Sequence, residues 1–282
     1  MTQDADVRVN RDAGEAWALA YRASGAAGVT LRRFETLDDA DRILRVLGST
    51  WGSHEPFPRE MIRALADSGN VPILAFDDRD AVGYVLGWAG VEPEDGLHVH
   101  SHMLAALPDR RHRGVGFALK LAQRALALEQ GIELVRWTFD PLIARNAYFN
   151  LHKLGAVADR FERNHYGEMS DELNAGERSD RFTVRWDLVR EPGPRTVEAD
   201  DAVLESAGEG PGEVRPPAAR SATVAVPREY TDVRDASPSL ASAWREASAT
   251  AIEACLGAGM VAAGFDAGGS RYAFVSIEDM PG

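Results

Sequence analysis

Short apolar runs and amphipathic stretches alternate along the chain from Val29 onward, and their order predicts a sheet with helices packed on it. "VTLRRF" (Val29–Phe34) reads as a first strand. "TLDDADRILRVLGSTW" follows, with Thr36 as N-cap and Ile43, Leu44 and Leu47 at helical spacing. Pro58, a favoured first-turn residue, opens a second helix carrying Met61, Ile62 and Leu65. "VPILAFDD" and "DAVGYVLGWAGV" are apolar runs split by a polar turn signal, the pattern of a β-hairpin. "LHVHSHMLAALP" is a further strand closed by Pro108. A glycine turn then leads into a helix from about Gly114 to Gln130, with Gly131 as its stop. "LVRWTFD", "ARNAYFNLHKLG" and "DRFTVRWDLV" read as a strand, a short helix ending at Gly155, and a last strand. A strand-rich start followed by βαβαβ predicts an α/β fold with a mixed sheet over residues 28–190.

The pattern weakens on either side of that block. Residues 1–27 are small and polar with little periodicity, and read as a flexible lead-in with a helix around Ala13–Ala23. Residues 191–220 are acidic, rich in proline and glycine and poor in large apolar side chains, the composition of a linker. Order resumes at "SATVAVP", a strand. Next comes a helix with Ser237 at N-cap, Pro238 at N1, a stripe of Leu240, Trp244, Ile252 and Leu256, and Gly257 as stop. "MVAAGFD" and "RYAFVSI" form a hairpin across "AGGS". Residues 221–282 are thus a βαββ unit, too small to bury a core of its own. It is expected to dock on the sheet or on a partner subunit, which leaves a homodimer open.

Composition narrows the function. The 282 residues are 45% hydrophobic and 27% charged, ordinary for a globular protein, and the net charge of −13 disfavours nucleic acid and anionic membranes as partners. No apolar run approaches the roughly 18 residues of a membrane span, and the N-terminus lacks a signal-like apolar stretch, so a cytoplasmic protein is expected. The single cysteine, Cys255, falls on an apolar helix face and reads as packing.

Against that acidic background "RRHRGVGFALK" stands out. A helix N-terminus offers unpaired N–H groups and the positive end of the helix dipole. Gly114 and Gly116 remove side chains so that an anion can approach them, and Arg111 and Arg113 add local charge. The arrangement suits a phosphate or pyrophosphate. It is neither GxxxxGK[ST] nor GxGxxG.

The spacing Arg111-x-x-Gly114-x-Gly116 resembles the acyl-CoA motif [Q/R]xxGx[G/A] of the GNAT (GCN5-related N-acetyltransferase) superfamily. "SHMLAALPDRRHRGVGFALKLAQR", "WTFDPL", "RNAYFNLHKLGA" and "NHYGEMSDELNAGERSDRF" are together similar to a branch of that superfamily with a C-terminal extension. The resemblance implies the GNAT fold over about 29–190 and an acyltransferase that uses acetyl-CoA or another short acyl-CoA, with no metal. Backbone groups of Met103, Leu104 and Ala105 on a splayed strand would hold the pantetheine arm, one N–H near Met103 or Leu104 meeting the oxyanion. The turn residues Arg111, Arg113, Gly114, Val115, Gly116 and Phe117 would take the pyrophosphate. The family's thiolate-protonating tyrosine falls here on Leu151, so Tyr148 or Tyr166 substitutes, or no dedicated acid is used.

Other residues remain open between chemistry and architecture. His98, His100 and His102 alternate on one strand, with the outer two about 13 Å apart, too far to share a metal unaided. His102 is either a general base or a hydrogen-bonded surface histidine. Asp140 ends a strand at the mouth of the sheet, as a site carboxylate or as a turn former before Pro141. Asn146 and Asn150, four apart on a helix, would line a cleft together. Arg181 would pair with a substrate carboxylate or with Asp180 or Asp187. The acceptor expected is the amine of a small molecule, such as an amino acid. The alternatives are an acyl-CoA sensor without turnover and a nucleotide-binding regulator.

Overall fold

The computed structural model describes residues 2–52, 57–167 and 177–279, which contain seven α-helices and thirteen strands. They fall into two compact units. Of the described residues, one holds those up to Arg136 together with Asp187–Arg190; the other holds Trp137–Gly167, Glu177–Trp186 and those from Glu191 onward.

The first unit begins with α1 (Thr2–Ala26), longer than the helix expected around Ala13–Ala23 within a flexible lead-in. Its core-facing positions include Ala13, Ala16 and Ala20, all buried and all methyl groups. Alanine favours helix strongly but adds little to an apolar stripe, which is why the periodicity marks the element only weakly. β1 (Thr30–Arg33) pairs antiparallel with β2 (Ile73–Phe76), with α2 (Leu37–Trp51) and α3 (Arg59–Asp67) in between. Thr36 caps α2 as expected, and its N–H donates to the fully buried Asp39 at 3.2 Å. That carboxylate also takes Arg32 at 2.6 Å and Arg42 at 3.3 Å. Pro58 sits one residue before α3 rather than inside it.

β2 continues antiparallel to β3 (Ala81–Glu92), β3 to β4 (Gly96–Ala106), and β4 lies parallel to the start of β5 (Leu134–Phe139). α2 and α3 cover one face, packing Ile43, Val46 and Ile62 on Leu74, Tyr84 and Leu86. α1 and α4 (Val115–Glu129) cover the other, with Leu119 and Ala122 on Ile73, Val82 and Val85. Helices on both faces explain why "AVGYVL" is apolar without alternation.

β3 and β4 approach closely enough to require glycine. A Cβ on Gly87 would lie 2.5 Å from the His100 carbonyl oxygen. The register jumps there from Leu86↔Met103 to Gly87↔Ser101, leaving His102 as the extra residue of a bulge. On the helical side of that bulge Lys120 of α4, only 2% exposed, donates to Ser101 Oγ at 2.7 Å and to Gln123 Oε1 at 3.1 Å.

In the second unit α5 (Ala144–Ala147) opens directly into a π-helical turn over Tyr148–Lys153. β6 (Val157–Glu162) pairs antiparallel with β7 (Arg181–Asp187). The segment expected to be a linker contains β8 (Asp201–Leu204), β9 (Ser206–Ala207) and β10 (Gly210–Pro211). Val203 and Leu204 are buried there, a short apolar pair that the acidic average conceals. β8 lies parallel to β11 (Ser221–Ala225), which precedes α6 (Tyr230–Ala236) and α7 (Pro238–Gly257). β12 (Met260–Asp266) pairs with β13 (Arg271–Ser276) and with β6 at Ala262↔Ala158, and β13 pairs with β11. The C-terminal strands therefore extend β6 and β7 within one unit. The Ser237 hydroxyl caps α7 by accepting from Leu240 N at 3.3 Å.

Burial pulls the Lys120 ammonium well below its ordinary pKa. The unfolded chain binds a proton there up to about pH 10.5 that the folded chain excludes, so stability rises with pH toward that value. Denaturation of wild type and Lys120→Met between pH 7 and 10 is expected to show wild type gaining on the variant as pH rises. Parallel pH curves would contradict this.

Candidate functional site

The glycine turn in the first unit follows from its backbone. After β4 the chain makes one 3-10 turn over Pro108–Arg110, and His112 and Gly114 then take positive φ angles of 64° and 89°. Gly114 is the N-cap of α4 and has no side chain to offer, so the helix starts uncapped. Among the described residues, no hydrogen bond is donated by the N–H groups of Val115, Gly116 and Phe117. Gly116 lies beside β4: a Cβ there would sit 3.7 Å from Leu104 Cδ2.

The neighbouring arginines divide sharply. Arg110 is tied to Asp77 in an ion pair, whereas Arg111 and Arg113 are exposed and have no ion pair among the described residues. Two unengaged guanidinium groups next to a bare helix N-terminus suit a doubly charged anion such as a pyrophosphate. Met103, Leu104 and Ala105 precede this turn on β4. Their register is with β3, while the parallel register to β5 covers Val99↔Val135 and His100↔Arg136. Among the described residues the β4–β5 pairing within the first unit ends at His100, and Met103–Ala105 carry this edge of β4 beyond it.

The three histidines lie near this edge in different surroundings. His98 is buried, its ring 3.1 Å from the Gly96 carbonyl oxygen through Nδ1. His100 packs on Trp88 at 5.1 Å, and burial, followed by the nearby His102 and His98, lowers its pKa to about 4. His102, the bulge residue, is exposed, with its ring 4.7 Å from Trp88 and 5.8 Å from His100. The described residues hold no group of three or more His, Cys, Asp or Glu side chains placed to take a metal ion.

The remaining candidates belong to the second unit. Asp140 is held by Arg245, whose Nη2 reaches Oδ2 at 2.9 Å and whose Nη1 reaches Oδ1 at 3.2 Å. Asp140 Oδ1 also accepts from Leu142 N at 2.9 Å, the turn-forming role that Pro141 suggests. Burial works against the Arg245 charge, but Asp140 outweighs it and the guanidinium pKa is raised. Arg245 continues to Glu177 at 3.2 Å, and the Tyr230 hydroxyl donates to the same carboxylate at 2.7 Å.

Arg181 departs from its expected role. It is 7% exposed, donates to the Asp180 carbonyl at 2.9 Å and has Asp140 at 3.8 Å, so protein groups take the guanidinium that a substrate carboxylate would need. It also lies over the Tyr166 ring at 5.4 Å. The Tyr166 hydroxyl is 2.8 Å from Thr138 Oγ1, and Tyr148 stacks on His152 at 4.6 Å.

Asn146 and Asn150 do not line a cleft together. Asn146 is exposed, while Asn150 is buried and accepts from Trp137 Nε1 at 3.3 Å. The π turn widens the helix between them, so four residues no longer make one revolution. Trp137 and Trp186 meet edge to face at 6.1 Å as buried packing, and burial raises the Cys255 thiol to about 12.

Sequence reasoning passed over Arg245, Glu177 and Lys120. Lys120 had a visible signal, being flanked by apolar residues on both sides in "FALKLA". The Arg245 pair, 105 residues apart, had none. Breaking it leaves a buried charge. Arg245→Met is expected to cost about 3–5 kcal/mol of unfolding free energy in urea, whereas exposed Arg111→Ala changes it by less than about 0.5 kcal/mol. Equal losses in the two variants would contradict the assignment.

Comparison with known proteins bears on the region around the turn. Residues 37–155 match the family model "Acetyltransferase (GNAT) family". Similar solved structures include Ard1 from Thermoplasma volcanium, at 21% identity and TM-score 0.42, covering 57% of this chain and 97% of that one. Naa20 from Chaetomium thermophilum, in complex with a bisubstrate analogue, shows 19% identity, TM-score 0.45 and coverage of 57% and 88%. The ribosomal-protein-S18-alanine N-acetyltransferase from Escherichia coli shows 14% identity, TM-score 0.43 and coverage of 57% and 94%. No curated protein matches the sequence. The family model covers the turn, both flanking strands and the helix that follows, so the likeness of this chain to the GNAT acetyltransferase family lies in residues 37–155.

Proposed function

We propose that the protein transfers an acetyl or other short acyl group from acyl-CoA to the amine of a small molecule. The observation that carries this reading is the bare N-terminus of α4 flanked by Arg111 and Arg113, on a domain that matches an acetyltransferase family. The N–H groups of Val115, Gly116 and Phe117, with the two guanidinium groups, are the donors for the pyrophosphate. The edge of β4 over Met103–Ala105 is the track for the pantetheine arm.

The reaction asks for little beyond placement and proton traffic. The amine nitrogen adds to the thioester carbon, the C–N bond forms, and the C–S bond breaks to release CoA as thiolate. His102 is the proposed base for the amine proton, being exposed on β4. A backbone N–H at Met103 or Leu104 is the proposed donor to the oxyanion. An amino-acid acceptor has lost the support of Arg181, and the acceptor proposed is accordingly an amine without a required carboxylate.

A sensor that binds acyl-CoA without turnover is the second reading. The observation behind it is Leu151, fully buried at the position where the family resemblance implies the thiolate-protonating tyrosine. Thermal-shift measurements with CoA, acetyl-CoA, succinyl-CoA, ATP and NAD, on wild type and Gly116→Trp, test the donor. Acyl-CoA is expected to raise the melting temperature of wild type alone, with ATP and NAD inert. An equal response in the variant, or none in wild type, would remove the reading. Where acyl-CoA binds, thiol release across a panel of small amines separates enzyme from sensor.

A further inference from the structure

Lys120 is a buried amine in the first unit that none of the proposed acyl-transfer steps uses. It sits on α4, 2% exposed, among the side chains that pack the helix on the sheet. It donates to Ser101 Oγ of β4 at 2.7 Å and to Gln123 Oε1, one turn along its own helix, at 3.1 Å. Hydrogen bonds to neutral groups offset the desolvation of an ammonium only in part. An apolar side chain of similar length would fill the same space without that cost. What the amine adds is a fixed point on β4.

That point lies at the register jump between β3 and β4. Ser101 pairs with Gly87, Met103 with Leu86, and His102 is the extra residue. His102 lies against Trp88, and Trp88 and Met103 both pack on the core under α2 and α3, so two successive residues of β4 share that face. Ser101, on the opposite face, is the last residue before the alternation breaks. Close strand contact does not decide where it breaks. A Cβ on Gly83 would lie 2.8 Å from the Ala105 carbonyl oxygen, and one on Gly90 would lie 2.7 Å from His98 Nε2, so β3 meets β4 tightly on either side of the jump. Sliding the extra residue by one position would carry a side chain to the other face of the sheet. Lys120 and Gln123 grip the two strands at the jump itself. The amine holds Ser101, and the amide that it orients stands, through Nε2, 3.1 Å from where a Cβ of Gly87 would lie.

We propose that Lys120 is a positioning residue: by holding Ser101 it fixes the bulge at His102, and with it the places of the His102 imidazole and the Met103 N–H. The consequence for catalysis rests on the acyl-transfer reading, in which His102 is the base and Met103 a donor to the oxyanion. No proton or covalent step passes through Lys120 itself. Val115, Gly116 and Phe117 lie on the first turn of α4 and Lys120 on the second, so losing the amine leaves the pyrophosphate donors in place.

Nuclear magnetic resonance of the full chain tests the bulge, and steady-state kinetics tests its consequence. In wild type the Trp88 ring, 4.7 Å from the His102 ring, is expected to shift the His102 imidazole protons, which are assigned by their absence in His102→Gln. Lys120→Met and Ser101→Ala are each expected to move or split those signals. Ser101→Ala removes one oxygen atom and leaves α4 unchanged, so it decides the matter if Lys120→Met does not fold. With acyl-CoA and an accepted amine, each variant is expected to lower kcat about 10- to 100-fold while KM for acyl-CoA stays within about 2-fold. The double variant is expected to be no slower than Lys120→Met, because both changes break one contact. A loss of packing alone would lower the melting temperature and leave kcat as it was. His102 signals that keep their positions in the folded variants overturn the inference, and so does an unchanged kcat or a change confined to KM. A wild type that neither binds nor turns over acyl-CoA would remove the acyl-transfer reading, while the His102 signals still decide whether Lys120 sets the bulge.

Discussion

The approach of β3 to β4 is the constraint on which the first unit depends. With the His100 carbonyl 2.5 Å from where a Cβ of Gly87 would lie, any side chain there forces the strands apart. Both faces of this hairpin are covered, by α2 and α3 on one side and α1 and α4 on the other, so neither strand can shift without opening a core. The bulge at His102 is the other half of the same arrangement. It turns the rest of β4 so that Met103–Ala106 runs into the turn before α4, and it sets an exposed imidazole two residues past the last β4–β5 pair within the first unit.

In the second unit the organising interaction is electrostatic. Asp140 and Arg245 join the end of β5 to the middle of α7 with two hydrogen bonds, and Glu177, Tyr230 and Arg181 fill in around them. Tyr272 adds a 2.6 Å bond to the Pro141 carbonyl from β13. The C-terminal segment thus shares buried polar groups with the loop after β5, and its fold and that loop's conformation are one problem. Buried ion pairs of this kind contribute little net stability over apolar packing but penalise alternatives strongly.

Much of the architecture was legible because it rests on local rules. Thr36 before α2, Ser237 and Pro238 before α7, the turn between β2 and β3, and the stops at Gly131 and Gly155 all appear where the sequence pattern places them. The glycine turn was readable for the same reason, since a helix start needs only its own residues. What failed depended on partners far along the chain. β8 buries two residues inside an acidic stretch, and Asp140 meets a guanidinium 105 residues away. For Arg181 a partner within the protein was legible, but the partners found are the Asp180 carbonyl and Asp140 rather than the Asp180 or Asp187 carboxylate.

The π turn over Tyr148–Lys153 changes how position along the chain translates into position in space. A stretch wound this way accommodates one residue more per revolution than an α-helix, so it behaves as a local insertion that the sequence does not announce. Counting back from Gly155 by α-helical steps reaches Leu151, yet the wider winding carries the neighbouring Asn150 into contact with Trp137. Spacing counted along this segment therefore does not convert into angle around the helix as it does in α4 or α7.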